Sequence, residues 1–264
     1  MRTACLGPEG SYSELAAKKL CPDSEIVLCR TFSDAVGLLR SGEVDCAALP
    51  IENSIQGGVL QNLDLLQASK DLFAVRELVL PIDHRLAAKA GTRLSDILTV
   101  CSHEQAIGQC SEFLRRVLPQ ADCEFTKSTA ESLSRVDDHT VGIVGAHVRA
   151  EGIVLSDENI ADEKRNFTHF LLIKKGKENL PEHTEKIYIC AVLAHRPGTL
   201  LQLLQCIAQF GLNLTKIESR PIKDVPGEYR FFIEFEGDYA SNVVRDALEE
   251  IRTHCRQFRL LGAY

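Results

Sequence analysis

The chain has 264 residues, 45% hydrophobic and 25% charged, with ten cysteines and a formal net charge of −7. That length suffices for two domains of ordinary soluble composition. No apolar run approaches a membrane span and none follows Met1, so a cytoplasmic location is expected, with neither export nor membrane residence. The acidity is uneven: residues 186–264 hold 10 Lys/Arg against 9 Asp/Glu, whereas 1–185 hold 20 against 28, which argues against nucleic acid as a partner.

Short apolar strands alternate with amphipathic helices through the first two thirds. Strands are predicted at Thr3–Leu6, Ile26–Cys29, Cys46–Leu49, Leu98–Cys101, Cys123–Phe125, Val141–Val144 and Phe167–Ile173. Helices are predicted at Ser13–Leu20, Phe32–Arg40, Leu60–Ala68, Glu104–Leu118, Glu131–Val136 and Ala146–Ala150. This alternation predicts largely parallel α/β sheets with helices on both faces, and ligands at strand C-termini and the helix N-termini that follow. Cysteines such as Cys5, Cys46, Cys101 and Cys190 fall inside apolar runs, and none forms a C-x-x-C pair, so reduced thiols are expected and neither a disulfide framework nor a zinc site.

Residues 174–185 are charged, carry Gly and Pro, lack apolar periodicity and read as a linker. Beyond them the order becomes strand-helix-strand-strand-helix-strand. Ile187, Ile189, Ala191 and Leu193 alternate on one strand face, a turn at 195–198 leads into a helix that Gly211 ends, and strands follow at Leu212–Arg220 and Tyr229–Glu236. A helix marked by Val244, Ala247, Leu248 and Ile251 and a strand at Phe258–Leu261 complete a ferredoxin-like βαββαβ unit.

The segment 166–170, Asn-Phe-Thr-His-Phe, heads a strand with Phe167, His169 and Leu171 on one face and Thr168, Phe170 and Leu172 on the other. A Thr hydroxyl there lies in a dry place, where a donor acts strongly on a bound anion, although Thr is also a common strand residue. Polar clusters occur at Gly7-Pro8-Glu9-Gly10-Ser11-Tyr12-Ser13, at Pro50-Ile51-Glu52-Asn53-Ser54, at Ser102-His103-Glu104-Gln105 with Gln109, and at Ser128-Thr129-Ala130-Glu131. The first lacks the Lys-Ser/Thr of a P-loop and the full dinucleotide fingerprint, so nucleotide binding is not expected.

In this order, and with Thr168-His169-Phe170, these clusters resemble the motifs of monofunctional prephenate dehydratases over essentially the whole first part. The later Pro197-Gly198-Thr199-Leu200 and Asn213-Leu214 through Glu218-Ser219-Arg220-Pro221 resemble the ACT regulatory domain of that family. The resemblance implies a bilobal, type II periplasmic-binding-protein-like catalytic domain over 1–178, with lobes of about 1–79 plus 164–178 and of 80–163, followed by an ACT domain over 186–264. It further implies decarboxylating dehydration of prephenate to phenylpyruvate, feedback regulation by L-phenylalanine, no metal, nucleotide or flavin cofactor, and a homo-oligomer, a dimer or dimer of dimers.

By motif, Thr168 is the implied acid, with Asn53, Ser102 and Gln109 positioning it or the substrate. Ser11, Ser54, His103, Thr129, His169 and Phe170 are implied substrate contacts, though Ser11, Ser54 and Thr129 also fit N-caps and His103 a loop-packing role. Pro197, Gly198, Thr199, Leu200, Asn213, Leu214, Glu218, Ser219, Arg220 and Pro221 are the implied phenylalanine site, while Glu218 and Arg220 also fit a solvated strand end. The sequence departs from the family at Glu104, usually Pro, and at His169, usually Arg. A histidine holding the substrate carboxylate predicts a weaker pull at alkaline pH. An arogenate dehydratase shares these motifs, and a non-catalytic amino-acid sensor would share the fold.

Overall fold

The computed structural model describes residues 1–222, 225 and 227–264. Lobe one contains strands β1 (Arg2–Leu6), β2 (Glu25–Cys29), β3 (Cys46–Asn53), β4 (Gly57–Gly58) and β5 (Leu72–Pro81), with helices α1 (Tyr12–Leu20), α2 (Phe32–Ser41) and α3 (Leu60–Ala68). Side-chain chemistry sets the helix ends. Ser11 caps α1 by accepting the Glu14 amide, Thr31 and Asp34 form a capping box on α2, and Gly42 at φ +83° ends α2 in the left-handed region. Helix α1 packs its alanines and Leu20 on one face of the sheet, while α2 and α3 cover the other with Val36, Leu39, Leu63 and Leu66. Strand β3 is therefore buried on both sides, which is why it reads as an unbroken apolar run.

Lobe two contains β6 (His84–Lys89), β7 (Thr99–Ser102), α4 (Glu104–Gly108), α5 (Ser111–Val117), β8 (Asp122–Phe125), β9 (Thr140–Gly145) and β10 (Ile153–Leu155). The chain returns to lobe one through residues 156–166 and enters β11 (Phe167–Lys175). The lobe sheets run β5-β11-β3-β1-β2 and β10-β6-β9-β7-β8. The chain thus crosses between lobes at 82–83 and at 156–166, leaving a cleft between them, in the expected bilobal α/β arrangement. The sheets are mixed where largely parallel ones were expected: β1 pairs parallel with β2 and β3, and β7 with β8 and β9, but β5, β6, β10 and β11 pair antiparallel with their lobe neighbours. The two strands on either side of each crossing run from one lobe into the other, and this fixes their direction.

Three further expectations change. The helix expected over Glu104–Leu118 breaks at Gln109–Cys110, because the Asp162 carboxylate accepts the Glu112 and Phe113 amides and starts α5 from outside. Ala146–Ala150 is a turn, with the Ala146 amide bonded to the Asp83 carbonyl, and 131–135 is a 3₁₀ turn. Strands β5, β6 and β10 were not anticipated; Arg76-Glu77 interrupts the β5 run, and both charges find tertiary partners.

The C-terminal unit comprises β12 (Lys186–Leu193), α6 (Thr199–Gln209), β13 (Leu214–Pro221), β14 (Tyr229–Glu236), α7 (Asn242–Thr253) and β15 (Cys255–Ala263), in sheet order β13-β14-β12-β15. This is the expected split-βαβ pattern. Helices α6 and α7 pack on Ile187, Ile189, Ala191, Ile233 and Phe235. The opposite sheet face, with Tyr188, Cys190, Phe232 and Tyr264, is buried in the core of lobe one. The two sheets join where β15 meets β5 at Gly262 and Ala74. A side chain at Gly262 would place its Cβ 2.5 Å from the Ala74 Cβ, so only glycine permits this approach. The segment read as a linker is pinned: β11 extends to Lys175, and buried Thr184 donates to the Gly237 carbonyl and accepts the Tyr239 amide.

Candidate active site

The cleft between the lobes has a volume of about 300 Å³ and is floored by Phe170 and Pro50. Thr168, from β11, and Asn53, at the end of β3, are register partners. The Asn53 Nδ2 donates to Thr168 Oγ1 at 3.0 Å and to Asn166 Oδ1 at 2.7 Å, while its Oδ1 accepts the Ile55 and Gln56 amides. Thr168 Oγ1 is therefore an acceptor from Asn53, and its own proton has no acceptor among the described residues. Asn166 continues the chain: its Nδ2 donates to Gln109 Oε1 at 3.1 Å, and His84 Nε2 donates to the same oxygen at 2.9 Å. The side-chain amides of Asn53 and Asn166 thus link Thr168 in lobe one to Gln109 in lobe two, with the His84 imidazole joined to Gln109 alone, and the break between α4 and α5 is what frees Gln109 from the middle of a helix.

Burial holds the His84 imidazole below its ordinary pKa, against a smaller opposing effect of the Gln109 bond, so it is neutral at pH 7. The Gln109 Nε2 is buried with no partner among the described residues, a donor available to a ligand. Ser11 and Thr129 line the same cleft. The Ser11 hydroxyl accepts the Glu14 amide and donates to the Leu6 carbonyl, so it holds the α1 N-terminus in place. His103 also lines the cleft and caps α4, its Nδ1 accepting the Gln105 amide. At the 131–135 turn it is the Ser128 hydroxyl, and not that of Thr129, that accepts the Glu131 amide.

Three residues expected here lie elsewhere. Ser102 is fully buried and its hydroxyl donates to the Ile143 carbonyl at 2.7 Å. Ser54 bonds the β11 entry, accepting the Phe167 amide and donating to the Arg165 carbonyl. His169 points away from the cleft, as the two-residue period of β11 requires, and its Nε2 lies 3.2 Å from Glu77. From that face the imidazole does not reach a carboxylate in the cleft, so His169 does not weaken substrate binding at alkaline pH, contrary to expectation.

The lining residues not expected as site residues include Tyr12, His84, Lys127 and Asn166. Asn166 was legible, two residues before Thr168 on the same strand face, and Lys127 adjoins the Ser128-Thr129 motif. Lys127 is the one Lys or Arg among the described lining residues. His84 had no local signal, since its strand was not foreseen.

On the C-terminal unit, the Pro197–Leu200 turn follows β12 at the sheet end that also carries Arg220 and Pro221. Gly198, at φ +85°, precedes α6 with no side-chain cap, and the Thr199 hydroxyl bonds the Ala194 carbonyl. Ser219 and Pro221 remain on the edge strand. Glu218 and Arg220 are turned onto lobe one: Arg220 pairs with Asp64, and the Glu218 carboxylate lies beside Gly58. Within one chain, Asn213 and Leu214 lie at the opposite end of β13 from this turn.

The family model for prephenate dehydratase matches residues 3–178. The chain belongs to that family. A prephenate dehydratase of Amycolatopsis methanolica is 37% identical over 270 residues, covering all of this chain and 88% of the relative. Among solved structures, prephenate dehydratase from Arthrobacter aurescens in complex with L-Phe superposes with a TM-score of 0.90 at 32% identity, covering 100% of this chain and 90% of that one. GqqA, described as a novel type of quorum quenching acylase, superposes at 0.87 with 25% identity, covering 100% and 97%.

Proposed function

We propose that this chain converts prephenate to phenylpyruvate, with Thr168 as the general acid. The observation that carries the reading is the Asn53–Thr168 hydrogen bond: it occupies a lone pair of the hydroxyl and leaves the proton for a ligand in the cleft. The ring carboxylate leaves as carbon dioxide, and its bonding electrons pass through the ring diene. The opposite C–O bond then breaks, and the departing oxygen takes the Thr168 proton to leave as water. Solvent returns a proton to Thr168. Aromatisation supplies the driving force, and a positioned acid adds roughly 10²–10⁴-fold. The substrate's two carboxylates match Lys127 and the first-turn amides of α1 at Tyr12 and Ser13, which that helix leaves unpaired. Gln109 Nε2 supplies a neutral donor from lobe two.

The likeness to an acylase suggests acyl transfer as a rival. Among the described residues, no Ser or Thr hydroxyl in the cleft is bonded to a histidine, the pairing such a nucleophile needs.

In this reading residues 1–178 are the catalytic part and 186–264 an ACT regulatory part that binds L-phenylalanine. The uncapped start of α6 after Gly198 is suited to the amino acid's carboxylate. Strand β13 is an open sheet edge with Ile217 exposed, suited to pairing with a second copy. Antiparallel pairing there would bring the partner's β13 start to this chain's β13 end, completing the implied site. A cytoplasmic location accords with ten free cysteines.

The test is phenylpyruvate formation from prephenate by purified protein, with and without phenylalanine, beside Thr168→Ala. Turnover lost in the variant and suppressed by phenylalanine is the expected result. Turnover of arogenate alone would reassign the substrate. No turnover of either substrate by folded protein that still binds phenylalanine would replace the enzyme with a sensor.

A further inference from the structure

Both strands that carry the Asn53–Thr168 pair turn their other face onto the C-terminal unit. Glu52 and His169 are register partners on that rear face, one residue from Asn53 and Thr168 respectively, beside an irregularity in the β3–β11 pairing. Glu52 is met directly by charge from the C-terminal unit, and His169 through Glu77 of lobe one. Lys216 on β13, whose side chain is 9% exposed, pairs with Glu52 at 2.5 Å. Lys186 on β12 pairs with Glu77 at 2.8 Å, and Glu77 in turn meets His169. The two arms are tied together: Lys186 lies 3.6 Å from Glu234, which accepts hydrogen bonds from Thr215 and Tyr264. Thr215 is the neighbour of Lys216 on β13.

Further along the same strand, Arg220 grips Asp64 on α3 and Glu218 abuts Gly58 on β4. The docking face thus matches cations of one unit to carboxylates of the other. The Lys216 side of its pair is shielded while the Glu52 side chain is 40% exposed, so the pair is partly screened and it is Lys216 that would be penalised if left alone.

We propose that Lys216 is a positioning residue for the reaction, holding Asn53, and through it Thr168, by way of Glu52. This rests on the reading of Thr168 as acid and deepens its regulation. Displacement of β13, the strand that carries Glu218-Ser219-Arg220, moves Lys216, then Glu52, then Asn53. The Asn53 carbonyl oxygen releases the Ile55 and Gln56 amides, its NH₂ leaves Thr168, and the acid loses its orientation. An effector acting on β13 therefore changes kcat without entering the cleft.

The test uses Lys216→Met, Lys216→Arg and the double variant Glu52→Gln/Lys216→Met in the full chain. Two readouts are taken, steady-state kinetics and amide exchange over residues 53–56. For Lys216→Met the expected result is a kcat lower by roughly 3- to 30-fold with KM little changed, weakened inhibition by phenylalanine although calorimetry still detects its binding, and faster exchange at Ile55 and Gln56. Lys216→Arg restores all three, and the double variant is no worse than Lys216→Met. Unchanged exchange over 53–56 in Lys216→Met overturns the proposal, whatever the activity. So does loss of phenylalanine binding itself, which would make Lys216 an effector contact. The exchange readout needs no turnover, so it separates failure of this coupling from failure of the assigned reaction, which wild-type protein and Thr168→Ala report in the same assay.

Discussion

Strands β3 and β11 have two faces, and the contrast between them is instructive. The cleft face carries Asn53, Thr168 and, beside them, Asn166, all neutral and joined by hydrogen bonds of 2.7–3.0 Å. The rear face, one residue out of step, carries Glu52 and His169, both engaged in ion pairs or charged hydrogen bonds with partners on neighbouring strands. Neutral donors orient a hydroxyl without changing its charge, whereas charged pairs respond to displacement and link separate units. On the proposed reading, the strand period places chemistry and control back to back, a single residue apart.

The contrast breaks first at Asn53. Asn53→Ala removes the donor to Thr168 and should lower kcat by roughly 10²–10³-fold, the range for losing one preorganised donor, with circular dichroism unchanged. Retention of more than a tenth of wild-type kcat would mean that Thr168 needs no orienting group. The rear face is broken at the seam between the sheets. Gly262→Val forces a side chain against Ala74 and should cost about 1–3 kcal/mol in denaturant unfolding, reduced by whatever shift the seam can absorb. An unchanged unfolding midpoint would show that the seam is loose.

Acid should act through two histidines whose charged form burial disfavours. His84 in the cleft and His147, which lies outside it and bonds the Gly10 carbonyl, are both held below their ordinary pKa, chiefly by desolvation. In the unfolded chain they titrate near about 6.5, so the stability they contribute is complete above that pH and is lost as pH falls through their folded values. Glu77 sits lower than an ordinary carboxylate: burial alone would raise it, but bonds from His169 and Lys186 outweigh that. Its contribution is lost only in the carboxylate range, as pH falls through its folded value. Urea midpoints should therefore decline in two stages on acidification, and His84→Gln should shrink the first. A midpoint that is flat between pH 8 and about 5.5 would contradict this. The smallest effect is expected at Ser102. Its hydroxyl shares the Ile143 carbonyl with Ser132, so Ser102→Ala should cost about 1 kcal/mol or less of stability and leave kcat within a few-fold. A loss as large as that of Asn53→Ala would return Ser102 to the chemistry.

Much of the fold was legible because its signals are local. The cap at Ser11, the glycine at 211 and the apolar periods of strands and helices place most elements, and the structure adds a cap at Thr31 and a helix-ending Gly42. The rest depended on distant partners. Asp162 breaks a helix that the 104–118 periodicity predicts as continuous, and Arg76 and Glu77 interrupt a strand until the Leu20 carbonyl and Lys186 satisfy them. The site shows the same division. Thr168, Asn53 and Gln109 were expected from motif order, whereas Asn166, which joins the first two to Gln109, and His84, which bonds Gln109 from a distant strand, lie far from one another in sequence. His169 and Ser102 were misplaced because motif membership says which residues are near the reaction and not which way they point. For His169, the strand period already contained the answer.

The measurement that bears most directly on this account is kcat for Thr168→Val and His169→Ala, side by side with prephenate. The two residues are adjacent on one strand and face opposite ways. Thr168→Val is expected to abolish turnover while His169→Ala keeps kcat within about tenfold of wild type, as expected of a group acting through its neighbours. A His169→Ala enzyme as inactive as Thr168→Val would put the imidazole in the reaction, and an active Thr168→Val enzyme would remove the hydroxyl from it.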